Sequence, residues 1–194
     1  MIADKFLDFL NRKILFHLRF DYLTNILIPY LTGCKTVLDL GASSGELAKK
    51  IQDKIGVEFT GVDTHIQPKS FIPVIKYDGK KLPFRNNSFE CVMIIDVLHH
   101  DTNPEEVITE AKRVAKKYIL IKDHYWISRF DFWLLKISDY IGNHPYKIKL
   151  PYNFLKYGGW KDVFNQKNLR IVTEKKFRYN AFDPCKHIIF FLEK

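Results

Sequence analysis

The chain has little cysteine. Cys34, Cys91 and Cys185 are its only three among 194 residues. They stand far apart and form neither a disulfide framework nor a metal-type spacing, so a reducing cytoplasm is the expected setting. Long apolar runs are missing too. The longest uncharged apolar stretch, Tyr22 to Cys34, is too short to span a bilayer. The first residues carry Asp4 and Asp8 and no small-residue cleavage site, which argues against a secretory leader. No repeat or low-complexity linker divides the chain. Acidic charge is scarce in one half only. Residues 1–110 hold 13 Lys and Arg against 15 Asp and Glu, whereas residues 111–194 hold 18 against 7, so the net charge of +9 resides C-terminally. These lysines are spread rather than clustered, as a lysine-rich proteome would leave them. The competing reading is an acidic partner: nucleic acid, anionic lipid or a small anion.

What is present is a globular composition, 46% apolar, in a chain long enough for one domain with a sizeable core. Val37 to Leu40 reads as a buried parallel strand that breaks into a Gly/Ser turn, with an amphipathic helix behind it. The turn is Asp39-x-Gly41-x-Ser43-x-Gly45. A dinucleotide fold wants three glycines and a pyrophosphate on the helix N-terminus. Here an acid precedes the first glycine and Ser43 replaces the second, so an anion is unwelcome and a cationic or zwitterionic ligand is not. A second strand, Phe59 to Val62, ends in Asp63, placed to accept hydrogen bonds from ribose hydroxyls. The pair points to an adenosine-containing cofactor.

Two further segments follow in order. Tyr77-Asp78-Gly79 leads into Leu82-Pro83-Phe84 and Ser88-Phe89, and Cys91 to Ile95 runs into Asp96-Val97-Leu98-His99-His100. Together with a fifth strand, Tyr118 to Asp123, these stretches resemble the class I S-adenosylmethionine-dependent methyltransferases, over roughly residues 36–124. The resemblance implies a seven-stranded mixed sheet of order 3-2-1-4-5-7-6, strand seven antiparallel, with helices on both faces in the Rossmann-like manner. It implies S-adenosylmethionine as cofactor. Asp39 would orient the methionine end, and Gly41, Ser43 and Gly45 would let backbone run against the ligand. Asp63 would take the ribose. Asp78 and the Gly79 N–H would meet the adenine, with Thr64 beside it. Asp96 would complete the cofactor set.

The expected layout is one domain: an N-terminal helical lid (1–33), a cofactor core (34–124), a substrate-side insert and helix (125–168) and a terminal β-hairpin (169–194). Residues 3–31 are apolar at helical spacing, with Pro29 to end or kink the run. Ser43 or Ser44 is the expected cap of the helix after strand one. The stretch 64–73 holds Pro68 and Pro73 and is too short for a good crossover helix. The helix opened by Asn103-Pro104 is expected to reach Lys117, with strand five at 118–123.

Methyl transfer needs reactants held in line, and a base only where the nucleophile must lose a proton. His124 is the first candidate base and His100 the second, since both fall at strand carboxyl ends. Trp126, Trp133 and Tyr152, with Asn153, are expected to wall an acceptor that is small or lipid-like. A nucleic-acid or protein acceptor using the basic half, and a cofactor-binding protein without transferase activity, stay open at this point. No His, Cys or acid cluster has ligand spacing, so no metal is expected. The adjacent pair His99-His100 is the one place where an unforeseen fold contact could recruit one. The oligomeric state is not legible.

Overall fold

The computed structural model describes residues 16–143 and 150–194. Its strands are β1 (Thr36–Leu40), β2 (Glu58–Asp63), β3 (Val74–Lys76), β4 (Phe89–Ile95), β5 (Ala115–His124), β6 (Arg170–Phe177) and β7 (His187–Glu193). They form one sheet of order β3-β2-β1-β4-β5-β7-β6. β1 to β5 pair in parallel, and β7 runs antiparallel to β5 and β6. The helices are α1 (Phe16–Leu31), α2 (Glu46–Ile55), α3 (Pro104–Val114), α4 (Arg129–Asn143) and α5 (Tyr157–Gln166), with a 3-10 turn at Leu98–His100.

The period-two alternation of a strand sends successive side chains to opposite faces, so the central strands are apolar on both. Leu38, Leu40, Val92, Ile94, Ile119, Ile121 and Phe190 meet α3 and α5 through Val107, Ile108, Trp160 and Phe164. Val37, Met93, Leu120 and Ile189 meet α1 and α2 through Leu23, Leu27 and Ile51 on the other face. α1 is therefore a layer of the core, not only a lid. Its Pro29 lies inside the helix, which continues to Leu31. Residues 1–15 of the expected lid lie outside the described residues.

Two boundaries differ from expectation. α2 is capped by Gly45 in the left-handed region, with no side-chain cap from Ser43 or Ser44. Ser43 itself adopts φ 51° and spends its N–H elsewhere, as described below. α3 ends at Val114 and β5 begins at once, because Ala115 pairs with Phe89 on β4. Lys116 and Lys117 are good helix formers, but ladder pairing overrides their propensity. The stretch 64–73 contains no helix, as its two prolines suggested. Among the described residues no helix is long and apolar enough to cross a membrane.

α4 stands apart from both layers. Leu135, Phe154 and Cys185 form a small cluster beneath it, with Trp126, Phe132 and Tyr152 packed against them. Its other face is bare: Phe130, Trp133, Ile137 and Ile141 are each more than half exposed. Trp133, expected on an acceptor wall, lies on this exposed face and not in the core.

Candidate functional site

The carboxyl ends of β1 and β2 lie side by side, with Asp39 paired to Gly61 and Leu40 to Val62. After β1 the chain folds back over β2, so that the Gly41 and Ala42 N–H groups donate to the Val62 carbonyl at 2.8 and 3.1 Å. Ser43 then donates its N–H to Asp63 Oδ2 at 2.8 Å, and His65 donates its N–H to Oδ1 at 2.9 Å. Asp63 thus ties the β1 loop to the tip of β2. Gly41 has φ 81°, and a Cβ there would lie 2.3 Å from Val97 of the loop after β4. Only glycine lets the two loops meet this closely.

Asp39 is 5% exposed. Burial, reinforced by the negative charge of Asp63, lifts its carboxyl to about 7. A folded carboxyl held above its ordinary value of 3.8 keeps a proton that the unfolded chain releases. The ligand-free fold should therefore lose stability as pH rises from about 4 to about 7, and level off above. Asp39→Asn should flatten that slope in urea denaturation across the same range. An unchanged slope would place the titration on another group.

Thr64 and Gly79 meet across the ends of β2 and β3, with Thr64 Cγ2 3.3 Å from where a Gly79 Cβ would stand. Asp78 Oδ1 accepts the Lys80 and Lys81 N–H groups at 2.8 and 3.0 Å, and these bonds hold its carboxyl below the ordinary range. Asp39, Gly41, Ser43, Gly45, Asp63, Thr64, Asp78 and Gly79 thus lie on the adjoining carboxyl ends of β1 and β2 and the loop that follows β3.

Asp96 differs. It follows β4 directly, at φ 56°. Its Oδ1 receives the fully buried Lys122 Nζ at 2.5 Å, and its Oδ2 receives Arg19 Nη2 at 2.5 Å. Burial alone would raise this carboxyl, but Lys122 and then Arg19 hold it well below the usual range. Both oxygens are spent on protein cations. Asp96 is the knot between α1, β4 and β5 rather than an open cofactor ligand. Sequence reasoning missed Arg19 and Lys122. A lysine within the apolar run Tyr118 to Ile121 and Asp123 was the available signal for the second; nothing marked the first.

Beside this knot lies a cluster of imidazoles. His99 is buried, and its Nδ1 stands 2.6 Å from Asp123 Oδ1. The His124 N–H donates to the same oxygen at 2.7 Å. The His124 ring lies 5.0 Å from that of His99 and 4.6 Å from that of His187. Burial, and next the charge of Lys122, push His124 down to about 3. It is therefore neutral near pH 7, and its Nδ1 has no hydrogen-bond partner among the described residues. His100 is partly exposed, and burial followed by the neighbouring His99 lowers it as well.

Of the expected acceptor wall, Tyr152 and Asn153 come together with Thr102, Pro104, Ile108 and Phe154 around a cavity of about 350 Å³. Asn153 fixes its rim: its N–H donates to the His99 carbonyl and its Nδ2 to the Asp101 carbonyl at 2.7 Å. Trp126 donates Nε1 to the Phe154 carbonyl at 2.8 Å. Trp133 stands outside, where Lys136 Nζ lies 5.0 Å from its ring centroid and 4.7 Å from that of Tyr152. The cavity is lined from α3 and the loop before it, from the irregular segment 152–155 and from Val163 of α5, not from the Asp39–Asp63 junction.

Residues 38–119 match the sequence family described as a methyltransferase domain. An uncharacterized protein of Methanocaldococcus jannaschii is 39% identical over 80 residues, which are 41% of this chain and 39% of that relative. The match therefore spans well under two thirds of the relative's length. Among solved structures, a chain of the complex formed by the Haloferax volcanii Trm112 methyltransferase activator superposes with TM-score 0.73 at 13% identity, over 100% of this chain and 97% of that one. The Pyrococcus horikoshii protein PH0226 gives 0.69 at 16% identity over 94% and 92%. The 1,6-didemethyltoxoflavin-N1-methyltransferase of Burkholderia thailandensis, solved with S-adenosylhomocysteine, gives 0.69 at 12% identity over 90% and 77%. At these identities the likeness is one of fold.

Proposed function

We propose, from the match of residues 38–119 to a methyltransferase domain, that this chain is a class I S-adenosylmethionine-dependent methyltransferase and carries a methyl group to an oxygen, nitrogen or carbon of a small or lipid-like acceptor. The observation that carries the acceptor class is the bare face of α4. Phe130, Trp133, Ile137 and Ile141 form an exposed apolar stripe on the helix that leaves the carboxyl end of β5. Lys136 lies between the Trp133 and Tyr152 rings, a cation at the border of an apolar surface. That pairing suits a molecule with an apolar body and a negative head.

The cofactor's ends follow from the charges. Its ribose belongs to Asp63, its adenine to the Thr64–Gly79 floor beside Asp78, and its ammonium to Asp39, whose ionised form a cation favours. The methyl group then points toward the ends of β4 and β5. For an acceptor that must lose a proton, His124 is the first imidazole at hand and His100 the second; held down to about 3 by burial and Lys122, His124 is a weak base and serves an acceptor that is already acidic. In-line positioning supplies the remainder.

Basic residues of the C-terminal half support a nucleic-acid acceptor less well. Lys161 and Lys176 face Glu174, Lys167 faces Glu105, and Lys117 and Arg170 face Glu193. Five of the basic residues of this half are thus engaged in local ion pairs. Partnership with an activator such as Trm112, seen for the Haloferax neighbour, is a separate arrangement that co-purification would report.

The test is turnover of a panel of amphiphilic and small aromatic acceptors by the parent, His124→Ala and Trp133→Ala. Loss of a base should cost about tenfold or more in turnover in His124→Ala, with cofactor affinity intact. Trp133→Ala should leave stability nearly unchanged, since its ring is 55% exposed, and should lower turnover. Trp160→Ala, at 2% exposure, should instead cost about 3–5 kcal/mol of stability. Full activity of Trp133→Ala would remove α4 from the acceptor side. A salt-sensitive shift with RNA or DNA, together with methylation of it, would replace the small acceptor by nucleic acid.

A further inference from the structure

The folded chain does what the sequence spacing could not show: it brings a carboxylate from α4 against the histidine pair of the 3-10 turn. Asp139 Oδ1 stands 3.9 Å from His99 Nε2 and 3.8 Å from His100 Nε2. The ligand atoms offered by the three residues all lie within 4.8 Å of one another. The edge of a tetrahedron with bonds of about 2.1 Å is about 3.4 Å. Both edges that Asp139 makes are thus within about half an ångström of that length, and the edge between the two histidines is at most 4.8 Å, so side-chain adjustment alone would bring the three atoms onto one ion.

The surroundings match such a use. His99 and Asp139 are buried, and His100 keeps 23% of its side chain exposed, which leaves an open side for water or a ligand. The His99 and His100 rings pack with centroids 4.0 Å apart, so their orientations are mutually fixed. Most telling is the far nitrogen of His99. Its Nδ1 lies 2.6 Å from Asp123, a carboxylate 1% exposed. A carboxylate on one imidazole nitrogen fixes the tautomer and raises the basicity of the other, which is how ligating histidines are held.

We propose that His99, His100 and Asp139 form a binding site for a first-row divalent transition metal of the zinc type. Two imidazoles and one carboxylate with an open position are the donor set such ions take. The neighbouring group Asp96, His99, Asp123 and His124 also brings four ligand atoms together. It is closed to a cation, because Asp96 already carries Lys122 and Arg19 and the Asp123 oxygen already faces His99 Nδ1. The site would pin α4 to the end of β4 and does not depend on the methyl-transfer reading.

The experiment uses the full chain without a purification tag, stripped with a chelator and titrated with Zn²⁺ in a calorimeter. One saturable equivalent is expected, with a raised melting temperature. His100→Ala and Asp139→Asn should each weaken binding more than tenfold. Asp123→Asn, which touches only the far nitrogen of His99, should weaken it about 10- to 100-fold. His124→Ala should bind as the parent does. No saturable binding up to about 1 mM Zn²⁺, or binding kept in both His100→Ala and Asp139→Asn, would overturn the site. So would binding lost in His124→Ala while His100→Ala retains it. Melting curves without metal establish that each variant is folded, so a lost site is distinct from a lost fold.

Discussion

Asp63→Ala should weaken S-adenosylmethionine, or its demethylated product, by roughly 10- to 100-fold. A carboxylate receiving two ribose hydroxyls makes charge-assisted bonds worth about 1.5–3 kcal/mol together. The structure adds a second route to the same loss. Asp63 also receives the Ser43 and His65 N–H groups, so its removal frees the β1 loop that the proposed cofactor site needs in one conformation. The carboxylate is near the surface and supports no core residue, so the fold should survive. Calorimetric titration of parent and variant is the measurement, and equal affinities would take Asp63 out of the site. Asp63→Asn separates the two routes, because a side-chain oxygen that still holds Ser43 should retain loop order while losing the charge.

Asp96→Asn should cost about 3–5 kcal/mol of stability, as much as the loss of the buried Trp160 side chain. Asparagine preserves the shape and tolerates the left-handed backbone at φ 56°, so the change isolates the charge. Lys122 is fully buried, and without Asp96 it is left as an uncompensated cation inside the sheet. Attraction between the pair is not itself the source of so large a cost; stranding one member is. The double variant Asp96→Asn, Lys122→Met should therefore recover part of the loss. Urea midpoints of the three proteins decide it, and an unmoved midpoint in the single variant would show that water reaches Lys122. The pH sign follows from the depressed carboxyl. Its contribution is present above the unfolded carboxylate range near 3.8 and is lost as pH falls toward the folded value.

Much of this arrangement was legible before the fold was known, for identifiable reasons. β1 and β4 are buried along most of their length and β2 at Phe59, Gly61 and Val62, so each shows an apolar core with a turn behind it, and an acid stands at the carboxyl end of each or one residue from it. Asp39 and Asp63 announce themselves in that way. Local capping was less legible. Ser43 and Ser44 are better cap residues than Gly45 by chemistry, but Ser43 donates its backbone to Asp63, twenty residues on, and the chain needs a left-handed residue where the helix begins. The Asp96 knot was illegible, because Arg19 lies 77 residues away on a helix whose packing no periodicity specifies. The same holds for Asp139 and the histidine pair. An amphipathic pattern says that α4 has two faces, not which one it turns to the protein.

The two ends of the sheet carry a further consequence. β3, at one border, is only three residues long. β6, at the other, carries Arg170, Glu174, Lys175 and Lys176 along its length. Every other strand has a neighbour on both sides. A second copy seeking to extend the ladder would find too few free amides at one border and would have to bring strand to strand across a row of hydrated charges at the other. The apolar strands between them, Cys91 to Ile95 and Ile188 to Leu192, are the segments that would seed fibres if exposed. Their place in the middle of the ladder, guarded by a short border and a charged one, keeps the folded chain from growing end on end.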